Sequence, residues 1–157
     1  MIKQEPLQKP SEGKALVNFL RPSSTGGAAQ VTIWDNDKLI GFTAGKMAFQ
    51  YECDPGKHLF ISWSEFKCPW KQNFYRIEST ISSCASGWAG GEQDYMWQNA
   101  LTWQKTLPSY KPDTAALGQI EAKDHSKIIE YLKDYHTEVA GSKYLQYLRP
   151  DDGIVVE

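Results

Sequence analysis

The sequence predicts an α+β fold, in which an antiparallel β-sandwich or small barrel of short strands is followed by a C-terminal helical segment. Residues 14–64 contain five short strand-like segments with a turn signal about every ten residues. Residues 124–148 instead place apolar residues at helical spacing. Many short strands with regular turns are typical of sandwiches and barrels, because each strand buries one face against a second layer.

The first strand is predicted at Ala15–Arg21, an apolar run that only Asn18 interrupts. A short run of this kind fits a strand that is buried on both faces. Pro22 ends the run, because proline has no N–H to donate to a neighbouring strand. Gly26 and Gly27 then favour a loop.

The next two strands are predicted to form a hairpin. Val31 and Ile33 lie on one face of the second strand, and Trp34 lies on the other. Residues 35–38 favour a tight turn, because Asp and Asn tolerate the positive φ angles of such turns. The third strand is then expected at residues 38–42.

A fourth strand is predicted at residues 46–51 and a fifth at 57–64, after a Pro55-Gly56 turn. We expect Gly56 to adopt a backbone conformation that is costly for other residues. The fifth strand alternates between two faces, one with His58, Phe60 and Ser62 and the other with Leu59, Ile61 and Trp63.

The strands at 15–64 are expected to form one contiguous antiparallel sheet. Residues 1–13 are expected to be a flexible lead-in, and residues 14–157 a single domain, since the length is that of one domain. The predicted buried positions include Leu16, Val17, Phe19, Ile33, Phe60 and Ile61.

This β-region is similar to a known family. The order KALVNFLRPSS, WDNDKLIG and YECDPGKHLF resembles domain-of-unknown-function family 2846, which groups small bacterial envelope proteins that are often predicted lipoproteins. The resemblance covers about residues 14–65 and the tail at 147–153. It implies a fold and a compartment, the cell envelope or periplasm, if an upstream leader and a lipid-bearing cysteine were removed. Otherwise a cytoplasmic protein is expected, because residues 1–6 lack a signal-peptide pattern.

Residues 66–110 depart from the family pattern, and neither a period of 2 nor one of 3.6 holds there for long. Moving the frame back by one nucleotide from Pro69-Trp70 through Ile81 is compatible with the strand, turn and Tyr-Tyr strand of the family. We therefore hypothesise a shifted reading frame at 66–110; a divergent insertion is the alternative. A shifted frame predicts irregular structure or isolated short elements there. It also predicts that an edge of the strand at 57–64, or one apolar face, is left uncovered.

A helix is predicted at Ser126–Val139, where apolar residues recur at helical spacing. Residues 124–126 are N-cap candidates, and Gly141 is a natural stop. A second short helix is predicted at 143–148. The first helix is expected to pack its apolar stripe on the sheet, and docking of a partner is the alternative.

The sequence contains no recognisable catalytic or metal-binding pattern, so we expect a non-enzymatic accessory or binding protein without a cofactor. His58 is expected to be satisfied by backbone groups, because no acidic or cysteine partner lies at a recognisable spacing. Cys53 and His58 form a weaker candidate, a nucleophile pair. Cys53, Cys68 and Cys84 lack C-x-x-C spacing, and the last two could form a disulfide in an oxidising compartment.

The alternative function is a soluble carbohydrate- or peptide-binding sandwich that uses exposed aromatic rings. Aromatic residues make up 13% of the chain, and six of them are tryptophans. The candidate ligand-binding residues are Trp34, Trp63 and His58, and the partner is expected to be an unidentified protein or glycan. A net charge of −2 gives no footprint for nucleic acid, and no apolar run reaches the ~18 residues of a membrane span.

Overall fold

The structure is a computed structural model that describes residues 1–7, 9–22, 30–63, 76–81, 99, 102–135 and 145–148. The described strands and long helix are, in chain order, β1 (Ile2–Lys3), β2 (Ala15–Arg21), β3 (Val31–Asp35), β4 (Lys38–Thr43), β5 (Met47–Cys53), β6 (Gly56–Trp63), β7 (Arg76–Ile81), β8 (Ser109–Lys111), α1 (Thr114–Asp134) and β9 (Leu145–Leu148). A short helical turn at 102–106 precedes β8.

The strands form two sheets, which confirms the predicted α+β class. Sheet A is four-stranded, with the order β1-β8-β5-β2, and sheet B is five-stranded, with the order β4-β3-β6-β7-β9. Most neighbours are antiparallel, but β5 pairs with β8 and β7 pairs with β9 in parallel. Across the described residues the two sheets remain separate, so they form a sandwich and not a closed barrel.

The expectation of one contiguous sheet at 15–64 is wrong. The first strand, β2, pairs with β5, whereas β3, β4 and β6 belong to the other sheet. The reason is that each of these strands has apolar side chains on the face that points inward. Two sheets bury these side chains against each other. A single sheet would leave one apolar face open to water.

The core between the sheets is centred on aromatic rings. Phe49 is fully buried and Phe60 is 2% exposed. Phe19 stacks on Phe49 with ring centroids 4.7 Å apart and meets Phe60 edge-on at 5.4 Å. Of the predicted buried positions, Phe19 is only half-buried. The others are confirmed as buried, namely Leu16, Val17, Ile33, Phe60 and Ile61.

A second core lies between sheet B and helix α1. The alternation predicted for β6 is confirmed, because Phe60 faces sheet A while Leu59 and Ile61 face the helix. Ile128 of α1 is 1% exposed at this interface. The helix therefore packs its apolar stripe on the sheet, as expected, and the protein has three layers. No described helix combines the length and apolar character that crossing a membrane requires.

Helix α1 begins at Thr114, so the predicted start at Ser126 is wrong. Its N-cap is Asp113, whose Oδ1 accepts hydrogen bonds from the backbone N–H groups of Ala115 and Ala116 at 3.1 and 3.4 Å. Asp124, a predicted cap, lies inside the helix, where it is 4% exposed and accepts from Lys127 at 3.3 Å. A polar residue within the helix was thus mistaken for its beginning.

The predicted second helix at 143–148 is also wrong over its described part. Leu145–Leu148 is strand β9, which pairs in parallel with β7, with Arg76 opposite Leu145. Pairing with the edge of β7 satisfies backbone groups that a free strand edge would leave unpaired. The predicted helix end at Val139 and Gly141 lies outside the described residues.

The described parts of residues 66–110 have regular structure. Strand β7 pairs with β6 from Gly56 opposite Ile81 to Ile61 opposite Arg76. The edge of β6 is therefore covered, so the uncovered edge, one of the two outcomes expected from a shifted frame, is not found there. The rest of this stretch, at 66–75, 82–98 and 100–101, lies outside the described residues, and it includes Cys68, Cys84, Trp70, Trp88 and Trp97.

Two glycines have conformational or steric roles in the sandwich. Gly56 has a φ of +156°, which side-chain-bearing residues rarely adopt, so the expectation for this position is confirmed. Gly41 of β4 lies against the buried ring of Phe49. A Cβ atom at Gly41 would stand 2.8 Å from Cε2 of that ring, which is too close for undistorted packing.

We expect Gly41→Ala to lower the free energy of unfolding by about 1–3 kcal/mol, because the Phe49 ring must shift within a filled core. Urea denaturation measures the change. Gly118→Ala on helix α1 is the matched control, since nothing lies within 4 Å of its added Cβ. That control is expected to stabilise the protein by about 0.5–1 kcal/mol through helix propensity. An equal effect of both substitutions would contradict the predicted clash.

Candidate functional site

A polar cluster of Asp35, Asn36, Tyr51 and His58, called the Asp35 cluster below, lies where β3, β5 and β6 meet. Asp35 ends β3 and is 7% exposed. Its Oδ2 accepts a hydrogen bond from the Tyr51 hydroxyl at 3.0 Å and lies 2.7 Å from Nδ1 of His58. Asn36 donates to Oδ1 at 3.1 Å. Because Tyr51 belongs to sheet A and Asp35 to sheet B, the cluster joins the two sheets.

His58 is held at both ring nitrogens. Nδ1 faces the Asp35 carboxylate, and Nε2 lies 2.9 Å from the backbone oxygen of Asp54. Both neighbours are acceptors, so each ring nitrogen that carries a hydrogen can donate to one of them. The ring also stacks on Phe60 at 5.7 Å with an interplanar angle of 8°.

The predicted backbone contact of His58 is present, but the expectation that it has no acidic partner is wrong. Its partner Asp35 lies 23 positions earlier in the chain. Antiparallel pairing of β3 with β6 places Asp35 opposite Phe60. His58 lies two residues before Phe60 and therefore on the same face of β6. Strand register, which the local sequence does not reveal, therefore creates the pair.

The pKa values of two groups here are raised, those of the Tyr51 hydroxyl in this cluster and of the Cys53 thiol beside it. Burial raises the pKa of the Cys53 thiol to about 11, and the carboxylates of Asp35 and Asp54 add to the rise. Burial also raises the pKa of the Tyr51 hydroxyl, with the Asp35 carboxylate as the next cause. Cys53 Sγ lies 3.9 Å from the backbone oxygen of Ala15. These contacts do not support the candidate nucleophile pair of Cys53 and His58, because a cysteine nucleophile must be a thiolate.

We expect iodoacetamide to alkylate Cys53 ~100-fold more slowly in the folded protein than in the unfolded chain at pH 7.5. A pKa of about 11 leaves far less thiolate than the ordinary value of 9.0. Peptide mapping by mass spectrometry separates Cys53 from the other two cysteines. The same protein in concentrated urea is the control, and equal rates in both states would contradict the raised pKa.

The three predicted ligand-binding residues do not form one site. Trp34 is fully buried between sheet B and α1, and its Nε1 donates to Thr32 Oγ1 at 3.0 Å. Trp63 is half-buried on the same face, with Lys127 Nζ 5.7 Å from its ring centroid. His58 lies on the opposite face. The prediction that Trp34 is an exposed aromatic ring is wrong, because the helix covers that face.

A different candidate site lies on the outer face of sheet A, where the chain's own N-terminal residues are bound. Phe49 and Cys53 of β5 face sheet B. Gln50 and Glu52 occupy the alternate positions of the same strand and therefore face outward. The N-terminal strap, named here as residues 2–7 and 9–11, begins as β1 at the edge of sheet A and contacts the outer face through Leu7 and Ser11. The sequence predicts a flexible lead-in at residues 1–13, and in the structure Ile2 of this stretch pairs with Lys111 of β8.

The strap is held mainly through its backbone. The Gln50 carboxamide accepts from the N–H of Leu7 at 2.6 Å and donates to its carbonyl oxygen at 3.1 Å. The Glu52 carboxylate accepts from the N–H of Ser11 at 2.6 Å. Gln4 donates its N–H to the carbonyl oxygen of Ser109 at 3.0 Å. Two side chains of β5 and one carbonyl of β8 thus hold Leu7, Ser11 and Gln4 against the sheet.

Gln50 is positioned by a buried amide network. It is 6% exposed, and its Nε2 also donates to Asn18 Oδ1 at 2.8 Å. Gln104 from the helical turn before β8 donates to the same oxygen at 3.5 Å. The carboxamide is therefore fixed in the orientation that matches one N–H and one C=O of the strap.

We expect the Glu52 contact to be lost on acidification. The N–H of Ser11, followed by its side chain, lowers the pKa of Glu52 below its ordinary value of 4.5. A lowered folded-state pKa means that the carboxylate stabilises the bound strap above pH 4.5 and loses this effect as the pH falls through the folded-state pKa. Hydrogen exchange, corrected for intrinsic rates, gives the protection factor of the Ser11 amide. The fall of this factor with decreasing pH measures the loss of the contact. Glu52→Gln keeps an acceptor without titrating, so its protection should be independent of pH; identical pH profiles would contradict the assignment.

Sequence reasoning missed both Gln50 and Glu52. The available signal was their alternation with Phe49 and Cys53, which marks one face of β5 as polar. No local pattern indicates that the strap returns to that face, since Leu7 and Gln50 are 43 positions apart.

Comparisons with protein-family models, with curated proteins and with solved structures gave no match. In the described part of the chain, no group of three or more His, Cys, Asp or Glu side chains is arranged to hold a metal ion.

Proposed function

We propose that this protein is a non-enzymatic accessory or binding protein of the bacterial cell envelope. The observation that carries the proposal is the bonding of the Asp35 cluster. The Asp35 carboxylate is shared by Tyr51 and His58 and links the two sheets. Side chains bonded in this way stabilise the fold, whereas catalysis needs acid–base groups within reach of a substrate proton.

The pKa values of the neighbouring groups support the same proposal. Cys53 has a pKa of about 11, and the pKa of Tyr51 is raised as well. A base or nucleophile works best when it ionises near the pH of the reaction. Both groups are therefore mainly protonated at neutral pH, where neither acts readily as a base or nucleophile.

The compartment is proposed from the resemblance of about residues 14–65 to envelope proteins of family 2846. Fractionation of cells that carry the native gene tests it, with an antibody against the folded protein as the detector. Recovery with the membrane or periplasmic fraction is expected. Recovery with the cytosolic enzymes alone would contradict an envelope location.

The non-enzymatic role is tested with variants of the groups most able to do chemistry. Crosslinking of intact cells is expected to give complexes of the same mass for the unmodified protein and for Cys53→Ala, because Cys53 faces the core. His58→Gln is used alongside it, after circular dichroism has confirmed its fold. Turnover of a substrate that either substitution abolishes would overturn the proposal.

A polypeptide is the class of partner with a specific observation in its favour. A sugar site built on exposed aromatic rings is not supported, since Trp34 is fully buried. The outer face of sheet A instead holds an extended segment through Gln50 and Glu52.

A further inference from the structure

We propose that the peptide bond between Asp54 and Pro55 is a self-cleavage site, at which the Asp54 carboxylate is the nucleophile and His58 is the catalytic acid. The bond belongs to the chain itself and breaks once in each molecule. The inference therefore goes beyond the proposed binding role and involves no external substrate.

The Asp54–Pro55 bond combines two features that make a peptide bond easier to break. An aspartate carboxylate can attack the carbonyl carbon of its own residue, because the attack closes a five-membered ring. Such an intramolecular attack replaces an encounter between separate molecules. Proline supplies a tertiary amide, whose nitrogen leaves as a basic secondary amine. The Asp-Pro pair occurs once in the sequence, in the turn between β5 and β6.

The carbonyl oxygen of this bond lies against the His58 ring. Nε2 of His58 is 2.9 Å from the backbone oxygen of Asp54. When Nε2 carries its hydrogen, it donates to the oxygen on which negative charge develops during the attack. A donor in this position stabilises the tetrahedral intermediate as the donors of an oxyanion hole do. The peptide group that His58 meets is thus the one that Asp54 can attack.

The His58 ring is held in this position by the groups around it. Asp35 Oδ2 lies 2.7 Å from Nδ1, on the side of the ring away from Asp54 O. The ring also stacks on Phe60 at 5.7 Å, and the His58 side chain is only 14% exposed. A buried carboxylate that orients a catalytic imidazole is a recurring arrangement in acyl transfer. Asp35 is therefore a positioning residue.

The Asp54 side chain is in the form and place that the attack requires. Lys14 Nζ pairs with Oδ1 of Asp54 at 2.6 Å. This contact lowers the pKa of Asp54, so the attacking carboxylate form is favoured at neutral pH. The Asp54 side chain is 80% exposed, so water for the last step reaches this turn.

The reaction conserves atoms and charge. An oxygen of the Asp54 carboxylate bonds to the Asp54 carbonyl carbon, and the C–N bond to Pro55 breaks with its electron pair left on nitrogen. The imidazolium form of His58 gives its Nε2 proton to that nitrogen. Water then opens the cyclic anhydride to two carboxylates, one of them the new C-terminus. The two protons released go to the His58 ring and to the new amine of Pro55.

The two products are expected to stay together as one folded unit. The bond lies between β5, which ends at Cys53 in sheet A, and β6, which begins at Gly56 in sheet B. Cleavage thus interrupts neither strand and removes one covalent link between the sheets. Phe19 of the first product still meets Phe60 of the second edge-on at 5.4 Å in the core.

Intact-mass spectrometry of the purified full chain, during incubation for several days at neutral pH, tests the proposal. We expect two products, residues 1–54 and 55–157, that elute together in native size-exclusion chromatography. A product that begins at Pro55 identifies the bond. Asp54→Ala removes the nucleophile at an exposed position, so the variant should fold and remain uncleaved.

Two further measurements separate catalysis by His58 from the ordinary lability of an Asp-Pro bond. His58→Gln, once circular dichroism has confirmed its fold, is expected to be cleaved at least ~10-fold more slowly. His125→Gln is the matched control, because it removes an exposed imidazole on α1, and its rate should be unchanged. The unmodified chain in concentrated urea keeps the bond but loses the His58 contact, so it should also be cleaved at least ~10-fold more slowly.

An unmodified chain that stays intact would overturn the inference. Equal rates for the folded protein, for His58→Gln and for the chain in urea would also overturn it, since the fold would then contribute nothing to the cleavage. These outcomes leave the proposed binding role in place, because crosslinking of intact cells tests that role independently.

Discussion

Replacing Phe60 by alanine is expected to lower the free energy of unfolding by about 3–5 kcal/mol. Phe60 is 2% exposed in the core between the sheets. Its ring meets Phe19 edge-on at 5.4 Å and Tyr51 edge-on at 6.4 Å, and it stacks on His58 at 5.7 Å. Alanine leaves a cavity that residues of both sheets line, and such a cavity can collapse only in part.

Urea denaturation at constant pH measures the loss for Phe60→Ala. Phe42→Ala is the matched control, because the same side chain is half-buried at the edge of the second core. Its loss should be clearly smaller. A loss below about 1 kcal/mol for Phe60→Ala would show that the ring is not a core element.

Asp35→Ala is also expected to lower the free energy of unfolding by about 3–5 kcal/mol, but through a different mechanism. The substitution leaves the Tyr51 hydroxyl and the His58 ring without their shared acceptor. The His58 side chain is only 14% exposed, so water replaces that acceptor poorly. Removing one partner of a buried pair is costly for this reason.

Asp54→Ala is the control for the loss of a carboxylate. Its side chain is 80% exposed and pairs with Lys14 at the surface, so a small effect is expected. A double-mutant cycle with Asp35→Ala and His58→Ala isolates the interaction between the two side chains. A coupling energy of about 1–3 kcal/mol is expected, and additive losses would contradict direct contact.

Strand positions were predictable because alternation is a local property. The first strand was predicted at Ala15–Arg21, and the structure has β2 there. The grouping of strands into two sheets was not predictable, since it depends on which strands pair. The pairing of Ala15 with Cys53 joins residues 38 positions apart, and no local pattern specifies it.

The errors in the helical region have a similar cause. Asp124 resembled an N-cap because short polar residues favour that position, yet it lies within α1 and is bonded to Lys127. Leu145–Leu148 is too short for its periodicity to separate helix from strand. Its pairing with β7 makes this segment a strand.

The candidate site was only partly predictable. The turn before His58 and the backbone contact of that residue were expected, but its partner Asp35 was not. Trp34 was expected to be exposed, because alternation defines two faces without showing that a helix covers one of them. The binding of the strap by Gln50 was beyond any local pattern.

The pairing of β1 with β8 has a consequence for synthesis of the chain on the ribosome. Ile2 is made well before its partner Lys111, which follows it later in the chain. The parallel neighbour of β5 is the same late strand, so sheet A consists of β2 and β5 alone until Ser109 and Tyr110 have emerged. Two-stranded sheets are marginally stable in water. The growing chain therefore passes through a long interval in which Gln50 and Glu52 are already made and the last strands that frame them are not.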